Sequence, residues 1–221
     1  MKLTVIIPIY NEAATCNRLI DEVKALPIPK QIIVIDDCST DGSQDILKNI
    51  TGIDYINHPQ NMGKGAAIKS ALPHVMGDCI ILQDGDLEYS PTDYEELLSN
   101  MTDNVDAVFG SRFIHPETPH SYHTLGNKLI TRFFNFITGA SLTDMASCYK
   151  LLRTELFHQL DIQSNGFGLE AEIATKLYRQ NLKVVEIPIR YNRRSAHEGK
   201  KLRLSDGIIA AWTIVKYRFK R

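Results

Sequence analysis

No apolar run in this 221-residue chain approaches the roughly 18 residues that a membrane-spanning helix requires. Nothing in it is expected to cross a bilayer. Cysteine is scarce as well: Cys16, Cys38, Cys79 and Cys148 lie far apart and form no C-x-x-C pair. With no signal peptide expected, this favours free thiols and a reducing cytoplasm. Low-complexity tracts, internal repeats and Gly/Ser linkers are missing too, so one domain over 1–221 is expected. Net charge is only -1, which leaves no argument for a nucleic-acid partner.

What is present is an ordinary globular composition, 43% hydrophobic and 23% charged, with charge unevenly placed. From Arg190 to Arg221 there are ten Lys or Arg against two acids, or +8. The first 189 residues therefore hold fifteen basic against twenty-four acidic residues, or -9. A basic C-terminal end suggests an anionic partner, either phosphates or a membrane surface.

Short β-branched runs alternate with helical patterns through the first half. "LTVIIPI" (3–9), "QIIVID" (31–36), "DYIN" (54–57), "DCIILQD" (78–84) and "DAVFGSR" (106–112) read as strands. Between them, helices are expected after Asn11 (on Leu19, Ile20, Val23 and Leu26), over about 43–50, over 64–75 and near 91–101. That order predicts an α/β fold, a mainly parallel sheet with helices on both faces. The second half is less regular, with amphipathic helices over 126–139 and 168–180 and a strand over 182–191. A helical tail follows from Ser205, with Ile208, Trp212, Val215 and Phe219 on one face.

Polar clusters stand at the expected strand ends, where open α/β sheets bind ligands. In Asp84-Gly85-Asp86, extended backbone would turn both carboxylates the same way, and Gly85 lets a ligand approach. Paired carboxylates suit Mg²⁺ or Mn²⁺ carrying substrate phosphates. In "VIDDCSTDG" (34–42), Asp36 or Asp37 could accept hydrogen bonds from a base or ribose, while Ser39 to Gly42 would cap and turn in any case. "PIYNE" (8–12) offers Tyr10 for stacking and Asn11 as a helix cap. "NMGKGAA" (61–67) could approach phosphate through Lys64 and backbone N–H groups, and "GSR" through Arg112. The loop "HPETPHSYH" with His115, His120 and His123 lacks zinc-ligand spacing and reads as an acceptor lid.

Taken together, "IIPIYNE", "VIDDCSTDG", "NMGKGAA", "LQDGDLE" and "GSR", in this order, resemble family 2 glycosyltransferases with the GT-A fold. "LTDMASCYKLLR" (142–153), "GFGLEAEIATKL" (166–177) and "VVEIPIRYNRRSAHEGKKLRLSDG" (184–207) resemble the dolichyl- or polyprenyl-phosphate mannose and glucose synthases. The resemblance implies a nucleotide-sugar and metal half over 1–112 and an acceptor half over 113–221. It implies that Pro8, Tyr10, Glu12, Ile35 and Asp37 line a nucleotide pocket. Asp84, Gly85 and Asp86 would meet ribose, diphosphate and metal, with Glu88 a third ligand where the family has glutamine. Arg112 would face the diphosphate or acceptor phosphate. Arg194 and Lys201, with Arg193 and Lys200 as competitors, match a basic loop that closes over the donor. Lys128 and Arg132 would meet the acceptor phosphate, although Asn127 stands where the dolichyl-phosphate enzymes are expected to carry arginine.

The implied reaction is metal-dependent, inverting transfer of a hexose from a UDP- or GDP-sugar to polyprenyl phosphate. A glycan or protein hydroxyl is the alternative acceptor and needs a general base, for which Asp144, Glu170 and Glu172 are candidates, Asp144 first. A non-catalytic nucleotide-sugar binding protein and a nucleotidyltransferase are the remaining alternatives. Phe133, Phe136, Ile208 and Trp212 fit either a globular core or a face on an anionic leaflet, with a membrane-protein partner as a further option.

Overall fold

The computed structural model describes residues 1–114, 122–193 and 204–220. Within them one seven-stranded sheet runs in the order β3-β2-β1-β4-β6-β5-β7. The strands are β1 (Leu3–Ile9), β2 (Lys30–Asp36), β3 (Asp54–Asn57), β4 (Cys79–Leu82), β5 (Ala107–Ser111), β6 (Lys150–Arg153) and β7 (Val184–Pro188). The helices are α1 (Cys16–Ala25), α2 (Ser43–Lys48), α3 (Lys64–Ala71), α4 (Tyr94–Ser99), α5 (Tyr122–Thr138), α6 (Thr154–Gln159), α7 (Leu169–Arg179) and α8 (Leu204–Phe219), placed on both sides of the sheet.

Continuous apolar strands mark a sheet covered on both faces. β1 and β4 fit that rule: of their side chains only Pro8 is not fully buried, and Thr4, the polar exception, donates to Gln31 Oε1 at 2.8 Å. β3, β2, β1 and β4 are parallel, as expected. The mainly parallel sheet has one exception. β6 runs antiparallel between β4 and β5 and was not predicted; Lys150 and Arg153 bound it and leave only Leu151 and Leu152 as an apolar signal. β7 is parallel to β5 and shorter than the 182–191 pattern. The helix predicted over 64–75 stops at Ala71, and Pro73 lies in a 3₁₀ turn over Leu72–His74.

These directions bring the carboxyl ends of β1, β2, β4, β5 and β7 to one sheet edge, with the amino end of β6 between them. Pro8 has no N–H to give, and it lies past the last β1–β4 pair, Ile6↔Leu82. β1 and β4 therefore part at the point where the polar clusters begin. The crevice is a consequence of where pairing stops.

Candidate active site

On the β1/β2 side, the loop after β2 holds the loop after β1. Ser39 Oγ accepts from Asn11 N, Ser43 Oγ from Glu12 N, and Asp41 Oδ2 from Ala13 N, each at 2.9 Å. Burial opposes charge on Asp41, but the hydrogen bonds from Ser43 and Ala13 outweigh it and keep this carboxyl below its ordinary range. Asn11, expected as a helix cap, instead accepts from Thr40 N at 2.7 Å. Asn11, Cys38 and Leu87, at φ 54, 63 and 58, all hold left-handed backbone beside this edge. Non-glycine residues pay for that conformation, and such positions cluster at functional sites.

Asp37 is buried and already well used. Its Oδ1 accepts from Met62 N at 2.8 Å and meets His58 Nδ1 at 2.7 Å, while Oδ2 accepts from Gly63 N at 2.7 Å. A carboxylate has about four acceptor positions, so one on Oδ2 remains for a base. Met62 and Gly63 thus spend on Asp37 the N–H groups expected to meet phosphate. The two glycines of this segment answer to packing: a Cβ on Gly63 would lie 2.5 Å from Asn165 O, and one on Gly65 would strike Ser164 O. Ile35 is also corrected, since its side chain is core and only its backbone reaches the edge. Pro8, Tyr10 (37% exposed) and Glu12 stand at the crevice, with Thr15 Oγ1 donating to Gly85 O at 2.8 Å. A side chain on Gly85 would run into Ile9.

Lys64 Nζ lies 2.6 Å from Asp84 Oδ1 and 2.6 Å from Glu170 Oε1, with Cys148 Sγ at 3.6 Å. Burial alone would lower its pKa; Asp84, Cys148 and Glu170 reverse that and hold the ammonium well above the ordinary lysine range. A cation therefore already rests on Asp84, the chemistry expected of a metal carboxylate. Among the described residues no three His, Cys, Asp or Glu side chains form a protein-only metal set. The expected third ligand, Glu88, does not complete one: its Oε2 accepts from Tyr191 O–H at 2.8 Å, and its N–H goes to Asp86 Oδ1 at 3.1 Å. Two carboxylates suit a Mg²⁺ or Mn²⁺ ion that arrives with phosphates.

Arg112 follows β5 and is buried against Asp144, which is fully buried. Its Nε and Nη2 donate to Asp144 Oδ2 and Oδ1 at 2.6 and 2.8 Å, and its backbone N to Oδ2 at 3.1 Å. Burial disfavours the charged guanidinium, yet Asp144 more than compensates and raises it well above its usual range. The guanidinium also sits 5.2 Å from the Tyr191 ring and 5.4 Å from Phe113. Lys128 Nζ lies 5.3 Å from the same Phe113 ring, so α5 brings an exposed cation beside Arg112. Arg132, one turn on, is exposed.

As a general base, Asp144 is corrected: both oxygens hold Arg112. Glu170 holds Lys64, and Glu172 accepts from Gln163 N and Ser164 N at 2.8 and 2.7 Å and pairs with Lys176. Arg194, Lys200, Lys201 and the 115–121 segment lie outside the described residues. Arg193 is described and exposed. Sequence reasoning passed over His58, Tyr191 and Glu186. Glu186 is the lone acid inside "VVEIPI", and that isolation was its signal.

Of the four residues left between core and leaflet, Phe133 packs on the core. Phe136 (85%), Ile208 (72%) and Trp212 (67%) are exposed. Leu125, Leu129 and Phe136 recur at helical spacing on α5, and Ile208, Trp212 and Phe219 on α8, which packs beside it. Among the described residues no helix is long and apolar enough to span a membrane.

This architecture has counterparts. The model of glycosyl transferase family 2 matches residues 4–161. Glycosyltransferase AglJ of Haloferax volcanii is 30% identical over 193 residues, 86% of this chain and 63% of the relative. This chain thus spans under two thirds of that relative's length. Polyprenol monophosphomannose synthase of Mycolicibacterium smegmatis is 23% identical over 228 residues, covering 95% of this chain and 86% of the relative. Among solved structures, glucosyl-3-phosphoglycerate synthase from Mycobacterium tuberculosis, in complex with Mn²⁺, UDP and glucosyl-3-phosphoglycerate, superposes with a TM-score of 0.73. It is 17% identical, and the match covers 98% of this chain and 79% of that one. The neighbours share the GT-A fold, and by the match over 4–161 the chain belongs to glycosyl transferase family 2.

Proposed function

We propose that residues 1–221 form one catalytic unit that moves a hexose from a nucleotide diphospho-sugar to polyprenyl phosphate, with inversion at the anomeric carbon. The acceptor assignment rests on one observation. The three carboxylates that a hydroxyl acceptor would need as base, Asp144, Glu170 and Glu172, are each engaged by a basic side chain. A phosphate acceptor is already anionic and needs no base. Its oxygen forms the new bond to the anomeric carbon, the bond to the diphosphate breaks, and the nucleoside diphosphate leaves with the electron pair. The name of the mycobacterial relative, a polyprenol monophosphomannose synthase, supports this acceptor.

In this reading Tyr10 and Asp37 meet the base, and Asp84 and Asp86 hold Mg²⁺ or Mn²⁺. That ion supplies Lewis-acid stabilisation of the departing diphosphate. Lys64 and Arg112 add positive charge at the reacting phosphates. Arg194 and Lys201, outside the described residues, would add further positive charge for the donor diphosphate. Asn192 N donates to Glu88 O at 2.8 Å, which ties the chain after β7 to the carboxylate loop.

The α5–α8 face would lie on an anionic leaflet, with Lys128, Arg132 and Lys216 among its exposed apolar groups. Co-flotation with phosphatidylglycerol vesicles, weaker with phosphatidylcholine, is the expected result. A dimer that excludes vesicles would assign the face to a second copy.

The deciding experiment offers UDP-glucose, UDP-N-acetylglucosamine, UDP-galactose and GDP-mannose with a short polyprenyl phosphate and Mn²⁺ or Mg²⁺. Lipid-phosphate product that vanishes in Asp86→Ala is expected. Turnover confined to hydroxyl acceptors would reject the proposed acceptor. Donor binding without any transfer would favour a binding protein.

A further inference from the structure

We infer that Glu186 is the positioning residue for Arg112, setting its direction by holding the two loops on either side of it. Glu186 lies on β7, paired in register with Phe109 of β5. Its Oε2 accepts from Thr143 N at 2.6 Å and from Thr143 Oγ1 at 3.1 Å, and its Oε1 accepts from Asp144 N at 2.8 Å. Asp144 then grips Arg112 with both oxygens.

A second path leads from the same carboxylate to the peptide of Arg112. Thr143 Oγ1 and Ser111 Oγ are 2.6 Å apart, and Phe113 N donates to Ser111 Oγ at 3.2 Å. Each hydroxyl has one proton. With the Thr143 proton given to Glu186, the Ser111 proton goes to Thr143, and Ser111 accepts from Phe113. One polarity runs through the relay, and Glu186 is its terminus. Ser111 and Phe113 flank Arg112 in the chain, and Thr143 directly precedes its counter-charge, Asp144. Burial pushes Glu186 up in pKa, while three donors hold it as an acceptor. The clamp explains why an acid interrupts an otherwise apolar edge strand.

The inference rests on the proposed role of Arg112 at phosphate, and two readouts keep the two apart. The first is hydrogen exchange of the Arg112 Nε–H by NMR, its signal identified by loss in Arg112→Lys. In Glu186→Gln one contact turns donor against donor, and exchange is expected to quicken about tenfold or more, since Nε–H loses its fixed acceptor. The second is kcat/KM with the donor and acceptor that the panel selects. Misplacing Arg112 is expected to lower it about tenfold or more, and Glu186→Gln should add little in an Arg112→Lys background. Faster exchange with unchanged kinetics would support Glu186 while removing Arg112 from the phosphate site. Unchanged exchange, or equal losses of kcat/KM in both backgrounds, would overturn the inference. Should Glu186→Gln fail to fold, Thr143→Val, which deletes only the relay hydroxyl, carries the same two readouts under the same criteria.

Discussion

The two sides of the crevice are held together by different physics. On the β1/β2 side, backbone N–H groups of residues 11–13 rest on Ser39, Ser43 and Asp41, and Met62 and Gly63 rest on Asp37. On the β5/β7 side, the same work falls to buried charge: Arg112 on Asp144, and Lys150 beneath them with no salt bridge among the described residues. Lys150 is fully buried, donates to Met145 O and Ser147 O at 2.9 and 2.6 Å, and lies 4.5 Å from the Phe109 ring. Many modest hydrogen bonds tolerate single losses. A few buried charges do not, because removing one partner strands the other in a medium that cannot solvate it.

That contrast can be broken most severely at Asp144. Asp144→Asn leaves Arg112 buried without its counter-charge and should cost about 3–5 kcal/mol of unfolding free energy, read by urea titration. A loss below that of an ordinary hydrogen bond would mean that the guanidinium reaches water. Lys150 comes next. Burial holds it at about 8 against an ordinary 10.5. Between those values the unfolded chain binds the proton that the folded one has lost, so stability rises with pH there, and the penalty is fully present below about pH 8. The stability of the native protein minus that of Lys150→Met should therefore climb from pH 8 to 10.5, by at most about 3 kcal/mol. A flat or falling difference would place Lys150 in a wetter site.

Ser43→Ala samples the other side. Glu12 N–H loses its acceptor, and a cost of about 1 kcal/mol is expected. A loss as large as that of Asp144→Asn would erase the distinction between the two sides. The smallest effect belongs to the α5–α8 face, where Phe136→Ser with Trp212→Ser should shift thermal stability by no more than about 0.5 kcal/mol. Vesicle binding should fall in the same protein. Marked destabilisation would show that these side chains are part of the packing.

Six of the seven strands were legible because their signals are local. "LTVIIPI" and "DYIN" coincide with β1 and β3, and each polar cluster stands where its strand ends. β6 was not legible. It is four residues long, begins with a lysine, and is defined by pairing with β4 and β5, which lie far from it in sequence. Asp144 was singled out as a base, and its two-oxygen pairing with Arg112 was not legible, because nothing in "LTDM" tells which cation lies opposite. Glu186 escaped for the same reason: its partners lie 42 and 43 residues away.

The sequence by itself determined the positions of every strand but β6, the acidic pair at the end of β4 and the basic C-terminal end, since side-chain period and composition are properties of neighbouring residues. Tertiary structure alone decided that β6 enters antiparallel, that Asp37 spends three contacts on a loop, and that Phe133 turns inward while Phe136 turns out. Those outcomes depend on which distant group supplies the opposite charge, the missing acceptor or the covering surface. Such a partner is chosen by the packing of the whole sheet.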